Sequence, residues 1–119
     1  MNELLSGRRI LVVEDEILLS LTIEDMLADF GCESVTAATT SEMAVALVEG
    51  QVFDAAVLDM TLNGESSRTV ADALAARGVP FVVTTGSRVM WDGFRDRAVL
   101  RKPFKYAELA DVLTRLLPH

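Results

Sequence analysis

Short apolar segments alternate along this chain with amphipathic segments of helical period, and this alternation constrains the fold more than any other feature. Residues 9–13 have the sequence RILVV, which is typical of a strand that is buried on both faces. The next segment, 17–30, places apolar side chains three or four positions apart and ends before Gly31, where a left-handed helix cap is expected. Short connections between strand and helix predict parallel strand pairing with right-handed crossovers.

The same two periods predict the other elements. We expect strands at 9–13, 33–37, 53–59, 79–84 and 98–101. We expect helices at 17–30, 42–49, 67–77 and 105–117. Thr39 and Glu42 have the spacing of a capping box at the start of the second helix, and Asn63 and Gly64 indicate a turn after the third strand. The segment 86–97 lacks a long amphipathic repeat, so we expect a loop with at most a short helix, which shortens the fourth crossover.

Composition excludes several classes of protein. A chain of 119 residues divided between two domains would leave neither with a sizeable core, so we expect one domain over residues 1–119. No apolar run approaches the roughly 20 residues of a membrane helix, so no membrane partner is expected. The single cysteine, Cys32, and the single histidine exclude disulfide frameworks and zinc clusters and fit a reducing, cytoplasmic compartment. The net charge of −7 argues against nucleic acid as a partner.

Polar side chains follow the ends of the predicted strands. Glu14 and Asp15 follow the first strand, Asp59 ends the third, a threonine pair at 84–85 follows the fourth, and Lys102 follows the fifth. Because carboxyl ends of parallel strands share one edge of the sheet, we expect these side chains to converge. Burying Asp59 beside two further carboxylates costs desolvation and like-charge repulsion, which a hard dication relieves. A site made of oxygen ligands indicates Mg²⁺.

Mg²⁺ beside a buried aspartate indicates phosphoryl transfer. We expect Asp59 to be the nucleophile and to form an aspartyl phosphate. Asp15 would hold the metal directly and Glu14 would hold it through water. Lys102 would pair with a phosphoryl oxygen, and a hydroxyl at the end of the fourth strand would bond another. Taken singly, each of these residues is more often a turn residue or a helix cap, but their shared position at one sheet edge favours a functional site.

Four sequence blocks stand in order along the chain: VVEDE at 12–16, VLDM at 57–60, TTG at 84–86 and RKPF at 101–104. These blocks resemble the signature blocks of the bacterial response-regulator receiver domain, of the CheY-like superfamily, and they cover nearly the whole chain. The resemblance implies an α/β, flavodoxin-like fold with a doubly wound sheet of five parallel strands in the order 2-1-3-4-5. It also implies Mg²⁺-dependent phosphorylation by a sensor histidine kinase or a histidine phosphotransfer protein.

The resemblance also implies a role for individual residues. Asp59 would be the phosphoacceptor, Thr85 the switch hydroxyl and Lys102 the invariant lysine. The implied metal ligands are Glu14, Asp15, Asp59 and the backbone carbonyl of Thr61. Pro103 would follow a cis peptide bond, which is usual in the family.

Three features depart from the usual pattern of the family. The turn at 60–63, MTLN, lacks the usual proline, Val99 stands where the switch aromatic is expected, and the crossover at 86–97 is short. Residues 80–86 and 99–104, PFVVTTG and VLRKPF, resemble the FATGUY subgroup, which is found in stand-alone regulators of alphaproteobacteria. Because Val99 has no ring to swing, we expect the output face to differ from the standard one.

These features predict a single-domain response regulator without an output domain. Phosphorylation of Asp59 would switch a contact with a downstream protein target or pass phosphate on, and the resemblance allows a homodimer on phosphorylation. No external substrate is expected, so the chain is not expected to be an enzyme. One alternative is a degenerate receiver that binds partners regardless of phosphate, which Val99 favours. A small aspartyl-phosphate hydrolase is less favoured, because such enzymes need a second aspartate where this chain has Thr61.

The segment between the fourth and fifth strands leaves two features without an assigned role. Met90, Trp91 and Phe94 either form a patch for a partner or pack over the edge of the sheet. The arginines of the same stretch are either solvated or pair with an acidic partner; they are Arg88, Arg95, Arg97 and Arg101.

Overall fold

The computed structural model describes residues 4–117, which contain a central sheet, one small hairpin and four helices. The strands are β1 Arg9–Val13, β2 Ser34–Ala38, β3 Ala55–Asp59, β4 Thr61–Leu62, β5 Glu65–Ser66, β6 Phe81–Thr85 and β7 Ala98–Arg101. The helices are α1 Ile17–Asp29, α2 Ser41–Gly50, α3 Arg68–Ala76 and α4 Tyr106–Leu116. None of the helices described between residues 4 and 117 has the length and apolar character needed to cross a membrane.

The five long strands pair in parallel in the order β2-β1-β3-β6-β7. This is the predicted doubly wound, flavodoxin-like sheet, since β6 and β7 are the fourth and fifth strands of that sheet. Successive side chains of a strand point to opposite faces. Leu11 and Leu58 therefore face α2 and α3, and Val12 and Val57 face α1 and α4. Both faces of the central strands are buried, which explains their continuous apolar runs.

Element boundaries match the predicted ones for β1 and β7 and differ by one or two residues in the other predicted elements, for local reasons. The fourth long strand begins at Phe81 instead of residue 79, because Pro80 has no N–H to donate to a ladder. Helix α2 begins one residue earlier than predicted, at Ser41, and its N-cap is Thr40, whose hydroxyl accepts a hydrogen bond from the N–H of Met43 at 3.1 Å. The predicted cap at Thr39 is therefore wrong. Gly31 has a φ of 86°, as its place after α1 predicts.

The turn after β3 is more regular than the sequence indicated. Residues predicted only as a turn form a hairpin, in which Thr61 pairs with Ser66 and Leu62 with Glu65. Asn63 and Gly64 make its tip with positive φ values of 52° and 80°, which asparagine and glycine tolerate best. The hairpin stands beside the carboxyl ends of β1 and β3, and it supplies backbone groups to that edge of the sheet.

The fourth crossover is a loop, as predicted, and residues 86–97 contain no helix. The loop is anchored by Phe94, which is buried and lies 6.1 Å from the ring of Phe81. Met90 and Trp91 are half-buried against the same apolar cluster. These side chains therefore pack over the edge of the sheet, which decides between the two alternatives left open by the sequence. The Lys102–Pro103 peptide bond that follows β7 is cis, as the resemblance implied.

Candidate functional site

Three strands of the sheet end in charged or polar side chains that meet at one edge. Glu14 follows β1, Asp59 ends β3, and Lys102 follows β7. Glu14 is only 1% exposed and Asp59 only 6%, although both carry carboxylates. Carboxylates this deeply buried are rare in proteins unless they are paired with a cation or a hydrogen-bond donor.

The partner of both buried carboxylates is the ammonium group of Lys102. Its Nζ lies 3.0 Å from Oδ2 of Asp59 and 3.3 Å from Oε1 of Glu14. The lysine crosses from the edge strand β7 over β6 to reach them, and its side chain remains 28% exposed. One ammonium group is therefore shared by two buried carboxylates, and the site carries an excess of negative charge.

A third carboxylate joins the two. Carboxylate oxygens of Glu14, Asp15 and Asp59 all lie within 4.8 Å of one another, close enough for one metal ion to contact all three. The donors are all oxygen atoms, and the surplus negative charge is the kind that a dication neutralises. Both properties fit Mg²⁺, which prefers one or two carboxylates together with water and phosphate oxygens. The structure therefore brings together the acidic residues that the sequence predicted.

Burial and the neighbouring charges both shift the pKa values of Glu14 and Lys102. The pKa of the Glu14 carboxyl is raised from 4.5 to about 7. Burial is the largest cause and the neighbouring Asp59 adds to it, whereas the N–H of Glu16 and the charge of Lys102 act to lower the pKa. For Lys102, burial acts to lower the pKa of the ammonium, but the hydrogen bond and charge of Asp59, together with Glu14, outweigh burial and raise the pKa. The lysine therefore stays charged at neutral pH.

The β4–β5 hairpin fixes the acidic residues from one side. The N–H of Thr61 donates to Oδ1 of Asp59 at 3.2 Å, and the N–H of Asn63 donates to Oδ2 of Asp15 at 3.0 Å. The hydroxyl of Ser67, just after the hairpin, donates to the backbone carbonyl of Asp59. The sequence predicted a turn at Asn63 and a helix start at Ser67 but not their contacts with Asp15 and Asp59, because backbone donors and short polar side chains leave no distinctive pattern in a sequence.

The two threonines at the end of β6 differ in their surroundings. The hydroxyl of Thr85, the predicted switch residue, accepts a hydrogen bond from the N–H of Ser87 at 2.9 Å. Thr84 is the register partner of Asp59 and is only 1% exposed, yet its hydroxyl has no hydrogen-bond partner among residues 4–117. The sequence named Thr84 only as one of a pair, because its position beside Asp59 becomes visible only when the strands are aligned.

Val99 lies on β7 beside Val83 of β6 and is 38% exposed. The position predicted for the switch aromatic therefore carries a small apolar side chain at the surface. A shallow cavity lies next to it, bounded by Thr85 and by the loop that follows β6. The structure thus places the buried Thr85 and the exposed Val99 around one cavity.

Comparison with known proteins identifies this arrangement of elements and residues. Residues 10–114 match the family described as "Response regulator receiver domain". A curated relative, the transcriptional regulatory protein PdtaR of Mycobacterium tuberculosis, is 32% identical in an alignment of 108 residues that covers 86% of this chain and 53% of that protein. The chain therefore spans about half the length of the curated relatives it matches.

Two solved structures resemble the chain over nearly their whole length. The solution structure of SdrG from Sphingomonas melonis is 42% identical, with a TM-score of 0.76, over 95% of this chain and 97% of SdrG. The receiver domain of the sensor histidine kinase PA1611 from Pseudomonas aeruginosa is 31% identical, with a TM-score of 0.79, over 93% of this chain and 98% of that domain. The crystal structure of the PA1611 domain has a magnesium ion coordinated in its active site cleft.

Proposed function

This chain belongs to the response regulator receiver domain family, and we propose that it is a single-domain response regulator that accepts a phosphoryl group on Asp59 in the presence of Mg²⁺. The observation that carries the proposal is the buried carboxylate of Asp59, which contacts the ammonium of Lys102 at 3.0 Å beside two further carboxylates. A structural ion pair alone needs one anion for one cation. The surplus of buried anions supports a site that takes up a dication and a phosphoryl group.

In the proposed reaction, a carboxylate oxygen of Asp59 attacks the phosphorus of a phosphohistidine on a sensor histidine kinase or a histidine phosphotransfer protein. The new O–P bond forms as the P–N bond breaks, and the imidazole leaves with the electron pair and takes up a proton. Lys102 exchanges its contact with Asp59 for one with a phosphoryl oxygen. The hydroxyl of Thr85 turns away from Ser87 and donates to another phosphoryl oxygen.

The residues that would hold the metal are Glu14, Asp15, Asp59 and the backbone carbonyl of Thr61. When bound, Mg²⁺ would supply positive charge for the oxygens of the phosphoryl group. The magnesium ion in the cleft of the PA1611 receiver domain supports this part of the proposal.

The test uses phosphoramidate as a small phosphodonor, with Mg²⁺, and intact-protein mass spectrometry. We expect one added phosphoryl group on the wild-type chain, none when the metal is chelated, and none on Asp59→Asn. Asp72→Asn is the matched control, because it makes the same chemical change at an exposed position of α3 and should leave the modification intact. An unchanged mass of the wild-type protein, or equal labelling of Asp59→Asn, would overturn the proposal.

We further propose that residues 1–119 form one receiver domain and that its output is a contact with a downstream protein target. Receiver domains are typically signalling modules that act in the cytoplasm, so we propose a cytoplasmic regulator with no external substrate. Whether that contact includes a second copy of the chain is tested by sedimentation of the protein with and without beryllium fluoride, a mimic of the phosphoryl group.

A second candidate is a receiver that binds its partner without phosphate. The observation that favours it is Val99, because a small side chain at this position has no ring to move when Thr85 moves. Partner affinity measured with and without beryllium fluoride separates the two candidates. Equal affinities favour the phosphate-independent receiver, and a higher affinity with the mimic favours the switch.

A further inference from the structure

A groove with a volume of about 710 Å³ lies between helix α2, the β4–β5 hairpin and the start of α3. This volume is within the roughly 300–1,000 Å³ range of ligand pockets in proteins. One wall is a side of α2, and the opposite wall is the hairpin. We call this cavity the α2 groove. The lining residues that decide its chemistry are Glu42, Val45, Glu49, Leu62 and Glu65.

The charge of the α2 groove is negative and uncompensated. Two of its three glutamates lie on α2 and the third on the hairpin, and no lysine or arginine of the described chain lines the groove. Among residues 4–117, none of the three carboxylates forms an ion pair. Arg77 reaches the end of α2, but its guanidinium donates to the backbone carbonyl of Glu49 at 3.1 Å. The groove is therefore complementary to a cationic ligand.

The spacing of the carboxylates on α2 matches the spacing of side chains along an extended chain. Glu42 and Glu49 both line the groove and are two helical turns apart, which is about 10 Å along the helix axis. In a polyproline II segment, residues three positions apart point to the same side and are about 9 Å apart. A segment with a lysine or arginine at every third position can therefore face both glutamates at once.

Apolar side chains lie between the carboxylates. Leu62 is only 3% exposed and Val45 is half-buried, and both belong to the apolar cluster beneath the groove. A basic peptide with apolar side chains between its cations covers this strip, whereas a polyamine offers only a thin methylene chain. The combination of charge and apolar surface therefore favours a protein segment as the ligand.

Hydrogen bonds to other parts of the molecule hold the hairpin wall of the groove in place. The N–H of Asn63 donates to Oδ2 of Asp15 at 3.0 Å, and its Nδ2 donates to the carbonyl of Thr39 at 3.4 Å. The N–H of Thr61 donates to Oδ1 of Asp59 at 3.2 Å. A wall that is already held does not have to be ordered when a partner binds, which lowers the cost of binding.

We propose that the α2 groove is the docking site for a basic, extended segment of a partner protein, with a cation at every third position and apolar side chains between the cations. Glu42 and Glu49 bind successive cations of this segment, and Glu65 faces it from the hairpin. Val45 and Leu62 receive its apolar side chains. The inference goes beyond the proposed function, because this docking requires neither a phosphoryl group nor a metal.

The test measures fluorescence anisotropy of a labelled peptide with the repeat lysine-proline-leucine, in which proline favours the polyproline II conformation. We expect Glu49→Lys to raise the Kd of this peptide at least about tenfold, since it replaces an attraction with a repulsion. Glu33→Lys is the matched control, because it makes the same charge change at an exposed position before β2 and should leave the Kd within about twofold. A lysine in the last turn of α2 suits the helix dipole, so Glu49→Lys is expected to fold.

Glu65→Lys makes the same change on the opposite wall and should weaken binding in the same direction, so the result does not depend on one variant. Equal Kd values for Glu49→Lys and Glu33→Lys, or no binding of the peptide to the wild type, would overturn the docking site. Spermidine that binds as tightly as the peptide would overturn a protein segment as the occupant. Sedimentation of the wild type as an oligomer that Glu49→Lys dissociates would overturn it as well, in favour of a second copy of the chain.

These outcomes are distinguishable from failure of the proposed function. Peptide binding is measured without phosphodonor or Mg²⁺, so it gives its answer even if Asp59 accepts no phosphoryl group. Conversely, the mass of the phosphorylated protein does not depend on the glutamates of the groove, so phosphorylation can be demonstrated even if the basic peptide does not bind.

Discussion

The acidic site and the basic crossover lie at the same carboxyl edge of one sheet, but different forces hold them in place. The acidic site consists of side chains at the ends of buried parallel strands, and their positions follow from the ladder of the sheet. The crossover, residues 86–97, has no regular element and is held by aromatic packing around Phe94. Its guanidinium groups are mostly exposed, whereas two of the site's carboxylates are almost fully buried.

Charge acts differently in these two regions because one is buried and the other is exposed. Buried charges interact strongly and must be neutralised, which Lys102 does in part and which the proposed Mg²⁺ would complete. Exposed charges are screened by solvent, so the arginines of the crossover gain importance only when a partner covers them. We therefore expect the proposed phosphoryl chemistry at the acidic site, and little contribution to stability from the exposed arginines of the crossover.

The largest expected effect tests whether the crossover depends on one aromatic anchor. Phe94→Ala should lower the free energy of unfolding by about 3 kcal/mol, because it leaves a cavity against Phe81 and removes the ring that Arg68 and Arg97 cover. Urea denaturation measures this change. Val89→Ala, at an exposed position of the same loop, should cost less than about 0.5 kcal/mol. Equal costs for the two variants would mean that the crossover is not anchored in this way.

A smaller effect is expected in the acidic site. Lys102→Met should lower the free energy of unfolding by about 2 kcal/mol at neutral pH without metal, because Glu14 and Asp59 lose their shared cation. The cost is below that of a wholly buried pair because the lysine is partly exposed. Arg115→Met breaks an exposed pair with Asp111 and should cost less than about 0.5 kcal/mol in the same urea titration. If both variants cost the same, the contrast between buried and exposed charge would not hold.

Replacing the two threonines at the end of β6 by valine should change the stability of the protein in opposite directions. Thr84→Val should raise the free energy of unfolding by about 1 kcal/mol, because it removes a buried hydroxyl that lacks a partner. Thr85→Val should lower it by about 1 kcal/mol, since the N–H of Ser87 loses its acceptor. Thermal and urea denaturation of both variants provide the comparison. A loss of stability in Thr84→Val would show that its hydroxyl has a partner in solution.

The smallest expected effect concerns the reactivity of the Cys32 thiol. Cys32 lies just before β2, at the other edge of the sheet and away from both regions. Burial raises the pKa of its thiol from 9.0 to about 11. A raised pKa means less thiolate at a given pH, so alkylation by iodoacetamide at pH 8 should be slower than for free cysteine and should rise with pH up to about 11. A rate at pH 8 equal to that of free cysteine would contradict this.

The fold was largely predictable because the spacing of apolar residues indicates which faces of a strand or helix are buried. The buried runs of β1 and β3 indicate strands covered on both faces, and the alternation of strand and helix determines parallel pairing. The β4–β5 hairpin was not predicted, since two-residue strands have no period to detect. The N-cap was placed one residue early, at Thr39, because two adjacent threonines have equal cap propensity and only the backbone angles of Thr40 decide between them.

The acidic cluster was predictable for a similar reason. Residues at strand ends must share an edge of a parallel sheet, so Glu14, Asp59 and Lys102 could be placed together from the sequence. The cavity lined by Arg88, Arg95 and Arg101 could not be predicted in the same way, because loop residues have no fixed register with the neighbouring strands. The charges of Arg88 and Arg95 can be read from the sequence but their positions cannot, and the hydrogen bonds that link Thr85 to Arg101 through Ser87 depend on loop geometry.

We propose that Asp59 is the residue of the buried cluster that accepts a phosphoryl group. Locating the modified residue by mass spectrometry tests this. The wild-type protein is treated with phosphoramidate and Mg²⁺ and then with sodium borohydride, which reduces an acyl phosphate to an alcohol. Tandem mass spectrometry then locates the resulting homoserine. We expect homoserine at position 59 and at no other aspartate. Homoserine at Asp15 or another aspartate, or no homoserine at all, would show that Asp59 is not the phosphoacceptor.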